Sequence, residues 1–287
     1  MNNLITRTLS GAVFVAVVIA AILLPNPHFF GIVFLAMTIL GLREFYLLCK
    51  HIEGIEPAWV LATVGGVAAF LCAYCCCVSI NERVSANIGN HPYAFLVLYI
   101  PFISALFMVE LFRKRAFPIH NVAISLMGHF YVALPFCCMC AMKKMGAVYL
   151  LAFFILIWAS DTGAYLVGRC IGKHKMFERV SPKKTWEGIG GGLLFALLFG
   201  WLFAQFASEI PALGYKAGDF AIWKWMTFAV LVFVSGALGD LVESLFKRYL
   251  QIKDSGKFLP GHGGVLDRLD SALIAAPIAF SFLAIAL

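Results

Sequence analysis

Twelve residues near the C-terminal end, LPGHGGVLDRLD at 259–270, place a histidine, two aspartates, an arginine and three glycines side by side. Asp267 and Asp270 stand one helical turn apart, so on a helix they share a face. Upstream, Asp240, Glu243, Ser244 and Lys247 follow the i, i+3, i+4, i+7 spacing that gathers them on one face of a second helix. A further acid, Asp161, lies inside an apolar run, with Tyr165 and Gly168 on its helical face. Oxygen-only acid clusters beside lysines and arginines suit Mg²⁺ bridging phosphates. The cations then stabilise charge on a phosphoryl group in transfer. Zinc fits poorly, because His262 has no cysteine or second histidine near it. The glycines around His262 permit a tight turn with N–H groups facing an anion. His262 itself reads equally as phosphate donor, general acid or plain turn residue. Acids at a helix N-terminus also serve as ordinary caps. That explains Asp267 alone, but not three aspartates among so many cations and hydroxyls.

A second polar stretch, Ser181-Pro182-Lys183-Lys184-Thr185-Trp186-Glu187-Gly188, combines lysines, hydroxyls and the start of a helix. Those are the parts of an anion site. Pro182 forces Ser181 into extended backbone, and Thr185 is placed to cap the helix that follows. Gly188, Gly192, Ala196 and Gly200 then form a small-residue stripe at every fourth position. Such a stripe lets helices pack closely, within the chain or in a homodimer. It is not the G-x-x-x-x-G-K-[ST] phosphate loop. Asp161 has a purely structural alternative, an ion pair with Arg169. The chemical reading is favoured because an acid at membrane depth costs about 2.5–3.5 kcal/mol to insert.

The elements that position these residues must be membrane helices. Of the 287 residues, 62% are hydrophobic and only 13% charged, and the mean hydropathy is +0.91. Soluble domains carry about 25% charge. A span needs about 20 apolar residues, and nine runs qualify: 8–24, 29–49, 58–80, 93–112, 121–141, 147–168, 188–207, 224–246 and 269–287. The fold class is therefore all-α and polytopic. The first run has no cleavage pattern after it and reads as a retained span. Pro101 and Pro135 fall inside spans and predict kinks. The nine cysteines lie mostly in apolar runs and read as small hydrophobes.

Positive charge orients the spans. With the N-terminus inside, the inner segments hold Arg7, Arg43, Lys50, Arg113–Arg115, six cations between Arg169 and Lys184, and five between Lys247 and Arg268. The outer segments hold only Arg83, Lys143, Lys144, Lys216 and Lys224. That bias puts the N-terminus and both polar stretches in the cytoplasm. The net charge of +7 then belongs to a membrane face and its anionic lipids rather than to nucleic acid binding. Residues 1–145 read as N-terminal scaffold helices with a role in lipid access, and 146–287 as the catalytic region.

The spacing of Ser244-Leu-Phe-Lys247-Arg248, then Lys253-Asp254-Ser-Gly256, then Leu259 to Asp270 closely resembles the phosphatidate cytidylyltransferase family, also called CDP-diacylglycerol synthases. Ser160-Asp161-Thr-Gly-Ala-Tyr165 and Ser181 to Gly188 resemble it too. The N-terminal half shows little of the resemblance. The resemblance implies the reaction CTP + phosphatidate → CDP-diacylglycerol + pyrophosphate at a cell inner or plasma membrane, with Mg²⁺ and a second cation such as K⁺. On this reading Asp240, Asp267 and Asp161 bind metal. Lys247, Arg248, His262, Arg268 and Asp270 serve the transfer. Ser181, Lys183, Lys184, Ser244, Lys253, Gly263 and Gly264 hold the substrates. A polyprenol-type kinase using CTP would share the acids and basic loops but not the Gly-His-Gly-Gly…Asp-Arg-x-Asp spacing. A secondary transporter is the remaining rival, and it lacks the internal repeat such folds often show.

Overall fold

The computed structural model describes residues 2–78, 94–215, 220–252, 254–256 and 263–287. Nine apolar helical runs follow one another among these residues. They are α1 (Asn2–Leu23), α2 (Pro27–Cys49), α3 (Trp59–Cys77), α4 (Ala94–Phe112), a run formed by α5 (Pro118–Gly128) and α6 (Leu134–Met145), α7 (Ala147–Ile171), α8 (Trp186–Phe206), α9 (Ile222–Tyr249) and α10 (Leu266–Ala286). Seven are long and apolar enough to cross a membrane, and Thr8–Leu23 and Tyr99–Phe112 are shorter apolar helices. The protein is thus an all-α polytopic membrane protein. A two-stranded hairpin, β1 (Lys175–Phe177) and β2 (Ser181–Thr185), interrupts the helices. The sequence reads there as a lysine-rich loop.

The chain divides into two compact units. The first comprises residues Met1–Lys144 and Leu250–Leu269, the second Met145–Tyr249 and Asp270–Leu287. Helix α10 therefore begins in the first and continues in the second.

The core of the first unit is aromatic. Phe30, Phe34, Tyr46, Phe70 and Phe136 are fully buried. In lipid, such packing and interhelical hydrogen bonds hold helices together. The Tyr46 hydroxyl donates to the Ser125 carbonyl at 2.6 Å. His129 Nε2 lies 2.6 Å from the Ala62 carbonyl, which can only accept, so that nitrogen carries the proton. Nδ1 then accepts from the Tyr99 hydroxyl at 2.7 Å. His129 opens a π-helical turn, His129–Ala133, joining α5 to α6. Pro135 lies just past this turn and cannot donate to the carbonyl four residues back. Of the two positions where the sequence predicts kinks, Pro135 follows a π-helical turn and Pro101 lies within the continuous helix α4.

The second unit is built on close contact of α7 with α8. A methyl group on Gly191 would stand 2.9 Å from the Gly163 carbonyl, and one on Gly188 2.9 Å from the Ala164 carbonyl. Gly192 abuts Phe233 of α9, and Gly200 abuts Ala229. The small-residue stripe is thus consumed inside the chain and lends no support to a dimer. Trp225, fully buried, stacks on Phe203 at 5.5 Å and Tyr149 at 5.7 Å. Its indole N–H donates to Tyr215 at 3.2 Å.

Candidate active site

The close approach of α7 and α8 leaves a cleft of about 370 Å³ in the second unit. Asp161, Tyr165 and Arg169 line it from α7, Lys183 and Lys184 from β2, and Asp240 from α9. The predicted one-sided display of Asp161, Tyr165 and Gly168 holds, since all three line this cleft. Asp161 is exposed to it, which relieves the cost of an acid at membrane depth. The Arg169 pairing considered for Asp161 does not form. Arg169 Nη1 instead donates to the Tyr165 hydroxyl at 2.8 Å. The cation facing the acids is Lys184, whose Nζ lies 2.7 Å from Asp240 Oδ2 and 3.3 Å from the Ala237 carbonyl. Lys184 also interacts electrostatically with Asp161.

Local geometry sets the lysine. Ser181 is extended, as Pro182 requires, at the start of β2. Thr185 caps α8, its hydroxyl oxygen accepting the Gly188 N–H at 3.2 Å. Glu187 ties down the start of β1 at the same open end of the hairpin. It accepts the Lys173 N–H at 3.1 Å and the His174 N–H at 3.2 Å, and meets His174 Nδ1 at 2.6 Å. The Trp186 N–H closes the hairpin on the His174 carbonyl at 3.0 Å. Lys183 and Lys184 thus project from a strand whose C-terminal end is fixed.

Helix α9 carries its polar face as the i, i+4 spacing predicts. Ser244 Oγ donates to Asp240 Oδ1 at 3.3 Å, and Lys247 pairs with Glu243 at 2.5 Å. Arg248 Nε donates to the Val180 carbonyl at 3.3 Å, tying the end of α9 to the hairpin turn. Asp270 Oδ1 accepts the Ser271 N–H at 2.6 Å. It lies within electrostatic reach of Asp240, Glu243 and Asp161. Asp161, Asp240, Glu243 and Asp270 therefore gather near Lys183, Lys184 and Lys247, with Arg169 at the cleft wall, in a partly dry setting. Among the described residues no three His, Cys, Asp or Glu side chains form a ready-made metal cage. The two carboxylates that line the cleft, Asp161 and Asp240, are of the number and kind that suit Mg²⁺, which takes one or two carboxylates plus substrate phosphates and water.

The first unit holds the rest of the LPGHGGVLDRLD region. Asp267 Oδ2 accepts the Ser255 N–H at 2.9 Å and the Gly264 N–H at 2.8 Å. Glu44 of α2, buried, accepts the Leu266 N–H at 3.0 Å and faces the Ser255 hydroxyl at 3.5 Å. It thereby caps the first turn of α10 from a helix 222 residues away. Gly263 has φ +83, and a side chain there would press on the Asp267 carboxylate. Phosphate binding by the Gly264 N–H would require Asp267 to release it. Arg268 sits on the first turn of α10, its N–H bonded to the Val265 carbonyl at 3.1 Å. Lys253 and His262 lie outside the described residues.

The structure thus gathers Asp161, Lys183, Lys184 and Asp240 in one cleft, with Ser244 bonded to Asp240. Sequence reading gave Glu44 no role in the site and Glu187 none at all. Its sole signal for Glu44 was an acid beside Arg43 at the end of an apolar run. Its signal for Glu187 was an acid in the first turn of α8.

Comparison with known proteins covers the whole chain. The model of the cytidylyltransferase family matches residues 5–286. The phosphatidate cytidylyltransferase of Haemophilus influenzae is 33% identical over 291 residues, which cover 96% of each chain. That of Staphylococcus saprophyticus is 40% identical over 167 residues, 58% of this chain and 60% of that protein. The Staphylococcus aureus protein of the same name gives the same figures.

Proposed function

The chain belongs to the cytidylyltransferase family, and on that premise we propose that it moves the cytidylyl group of CTP onto phosphatidate, giving CDP-diacylglycerol and pyrophosphate. The observation that carries this reading is the joint one: near full-length similarity to a protein of that name, and a cleft that sets a lysine strand against intramembrane carboxylates. One substrate is a soluble nucleotide and the other a lipid with its phosphate at the bilayer surface. An anion site among membrane helices serves both.

A phosphatidate oxygen attacks the α-phosphorus of CTP, and the bond from that phosphorus to the bridging oxygen of pyrophosphate breaks. A phosphate monoester is already dianionic to a large extent near neutrality, its second pKa being about 6. No strong base is needed, and the protein's work is placement and charge neutralisation. Lys183 and Lys184 hold phosphate oxygens from β2, and Tyr165 keeps Arg169 at the cleft wall. Asp240 and Asp161 would hold Mg²⁺ together with substrate phosphates, with Asp270 nearby, and Ser244 orients Asp240. When bound, the metal supplies charge neutralisation at the triphosphate. Asp267 stays in the proposed set of cation ligands, for a second ion such as K⁺, through a carboxylate that also shapes its loop. Lys247, Arg248 and Arg268 add positive potential where the helices leave the membrane. The lysine and arginine bias supports a cytoplasmic position for this face, where CTP is available.

The test is pyrophosphate release by the purified protein with phosphatidate, CTP and Mg²⁺, each omitted in turn. Release is expected only when all three are present, together with CDP-diacylglycerol. Release of CDP instead would mean phosphoryl transfer, as in a lipid kinase, and would overturn the proposal.

A further inference from the structure

Between α4 and α5 the chain reads Arg113-Lys114-Arg115. In a membrane protein such a triplet is ordinarily no more than an orientation signal. Here two of the three cations have fixed partners. Arg113 Nη1 pairs with the buried Glu110 at 2.9 Å and donates to the Glu56 carbonyl at 2.9 Å. Arg115 pairs with the Glu56 carboxylate at 3.0 Å. Beneath them Asn121, fully buried, donates to Glu110 at 2.6 Å and accepts the Glu56 N–H at 2.8 Å. This frame pins the ends of both helices. Lys114 has no ion pair among the described residues, and the chain holds it in the left-handed region at φ 49, unusual for a residue with a side chain.

Lys114 and Arg115, with Glu110 held by Arg113, stand at a groove of about 350 Å³ walled by Phe107, Leu111, Ile119 and Val122. Phe107, Leu111 and Ile119 are exposed, on apolar helices whose outer faces meet lipid. Apolar walls running to a cationic rim at a helix end match a phospholipid in both chemistry and depth. The paired arginines are neutralised, which leaves the single charge of Lys114. We infer that this groove binds one anionic glycerophospholipid, with an acyl chain along Phe107, Leu111 and Ile119 and the phosphate at Lys114. A phosphate without a tail would gain nothing from those walls. The site lies wholly in the first unit and does not rest on the proposed reaction.

Retention of lipid by the detergent-purified full-length protein, read by native mass spectrometry, tests it. The probes are phosphatidylglycerol and phosphatidylcholine with the same chains, with glycerol 3-phosphate as the tailless control. The wild type should retain phosphatidylglycerol about fivefold better than phosphatidylcholine, the gain expected from one basic residue near the membrane surface. Lys114→Gln should abolish that preference and Lys114→Arg should keep it. Leu111→Trp, which fills the groove, should reduce retention of both lipids. Equal retention of the two lipids by the wild type would overturn the inference, as would a preference unchanged in Lys114→Gln. Displacement of the lipid by glycerol 3-phosphate at equal concentration would point to a simple anion site and overturn it too.

Discussion

Asp267 and Asp270 are three residues apart on one helix, yet they belong to different units and keep different company. Asp267, like Glu44, has its carboxylate engaged by backbone N–H groups of the 255–266 region. Asp270 lies within electrostatic reach of Asp240, Glu243 and Asp161 in the second unit. In the first region, carboxylates accept hydrogen bonds from the chain and fix its course. In the second, carboxylates gather beside one another and beside lysines. Satisfied carboxylates stabilise a fold, whereas clustered ones raise its energy unless a ligand brings charge. The difference separates carboxylates already engaged by the backbone from carboxylates clustered beside one another, although the sequence runs them together.

The sharpest way to break that distinction is Asp240→Asn. It removes a charge from the cleft and should cut turnover at least about 100-fold, with the melting temperature held. Lys184→Met comes next. It should cost about 100-fold, as expected for loss of a charged group acting on a phosphate in transfer, and CTP titration will show whether the loss is in binding. Gly191→Ala drives a methyl into the Val167 side chain and to 2.9 Å from the Gly163 carbonyl. Overpacking of this kind costs about 1–3 kcal/mol, so thermal unfolding in detergent should fall while the folded fraction stays active. Glu44→Ala should have the smallest effect, the loss of a helix cap at about 0.5–2 kcal/mol. Its signature is the reverse of that of Asp240→Asn: a lower melting temperature with turnover per folded molecule largely kept. Loss of turnover in Glu44→Ala without a change in melting would move Glu44 into the chemistry and dissolve the comparison.

The helices were legible because their signal is local. Nine apolar runs with sharp polar breaks gave nine helical runs among the described residues. Within the site, what depended on helical spacing was also legible. Ser244 finds Asp240 and Lys247 finds Glu243 because i and i+4 must meet. Thr185 caps α8 for an equally local reason. What needed tertiary contact was not legible. Arg169 was the nearest cation to Asp161 in sequence, but Tyr165 took it, and Lys184 came from a hairpin no periodicity foretold. Glu44 reaches its partner across 222 residues, a separation no pattern in a single sequence encodes. The division of Asp267 from Asp270 is of the same kind, since helical spacing gives both residues one face and says nothing of what surrounds each.

The most direct test of the central claim is turnover and thermal unfolding measured together on purified Asp240→Asn, assayed for pyrophosphate release with phosphatidate, CTP and Mg²⁺. The expected result is release at background, with a melting temperature within about 3 °C of the wild type, a shift worth no more than about 1 kcal/mol for a chain of this size. Release near the wild-type rate from a folded Asp240→Asn protein would contradict it, and the cleft of the second unit would then not be where the reaction occurs.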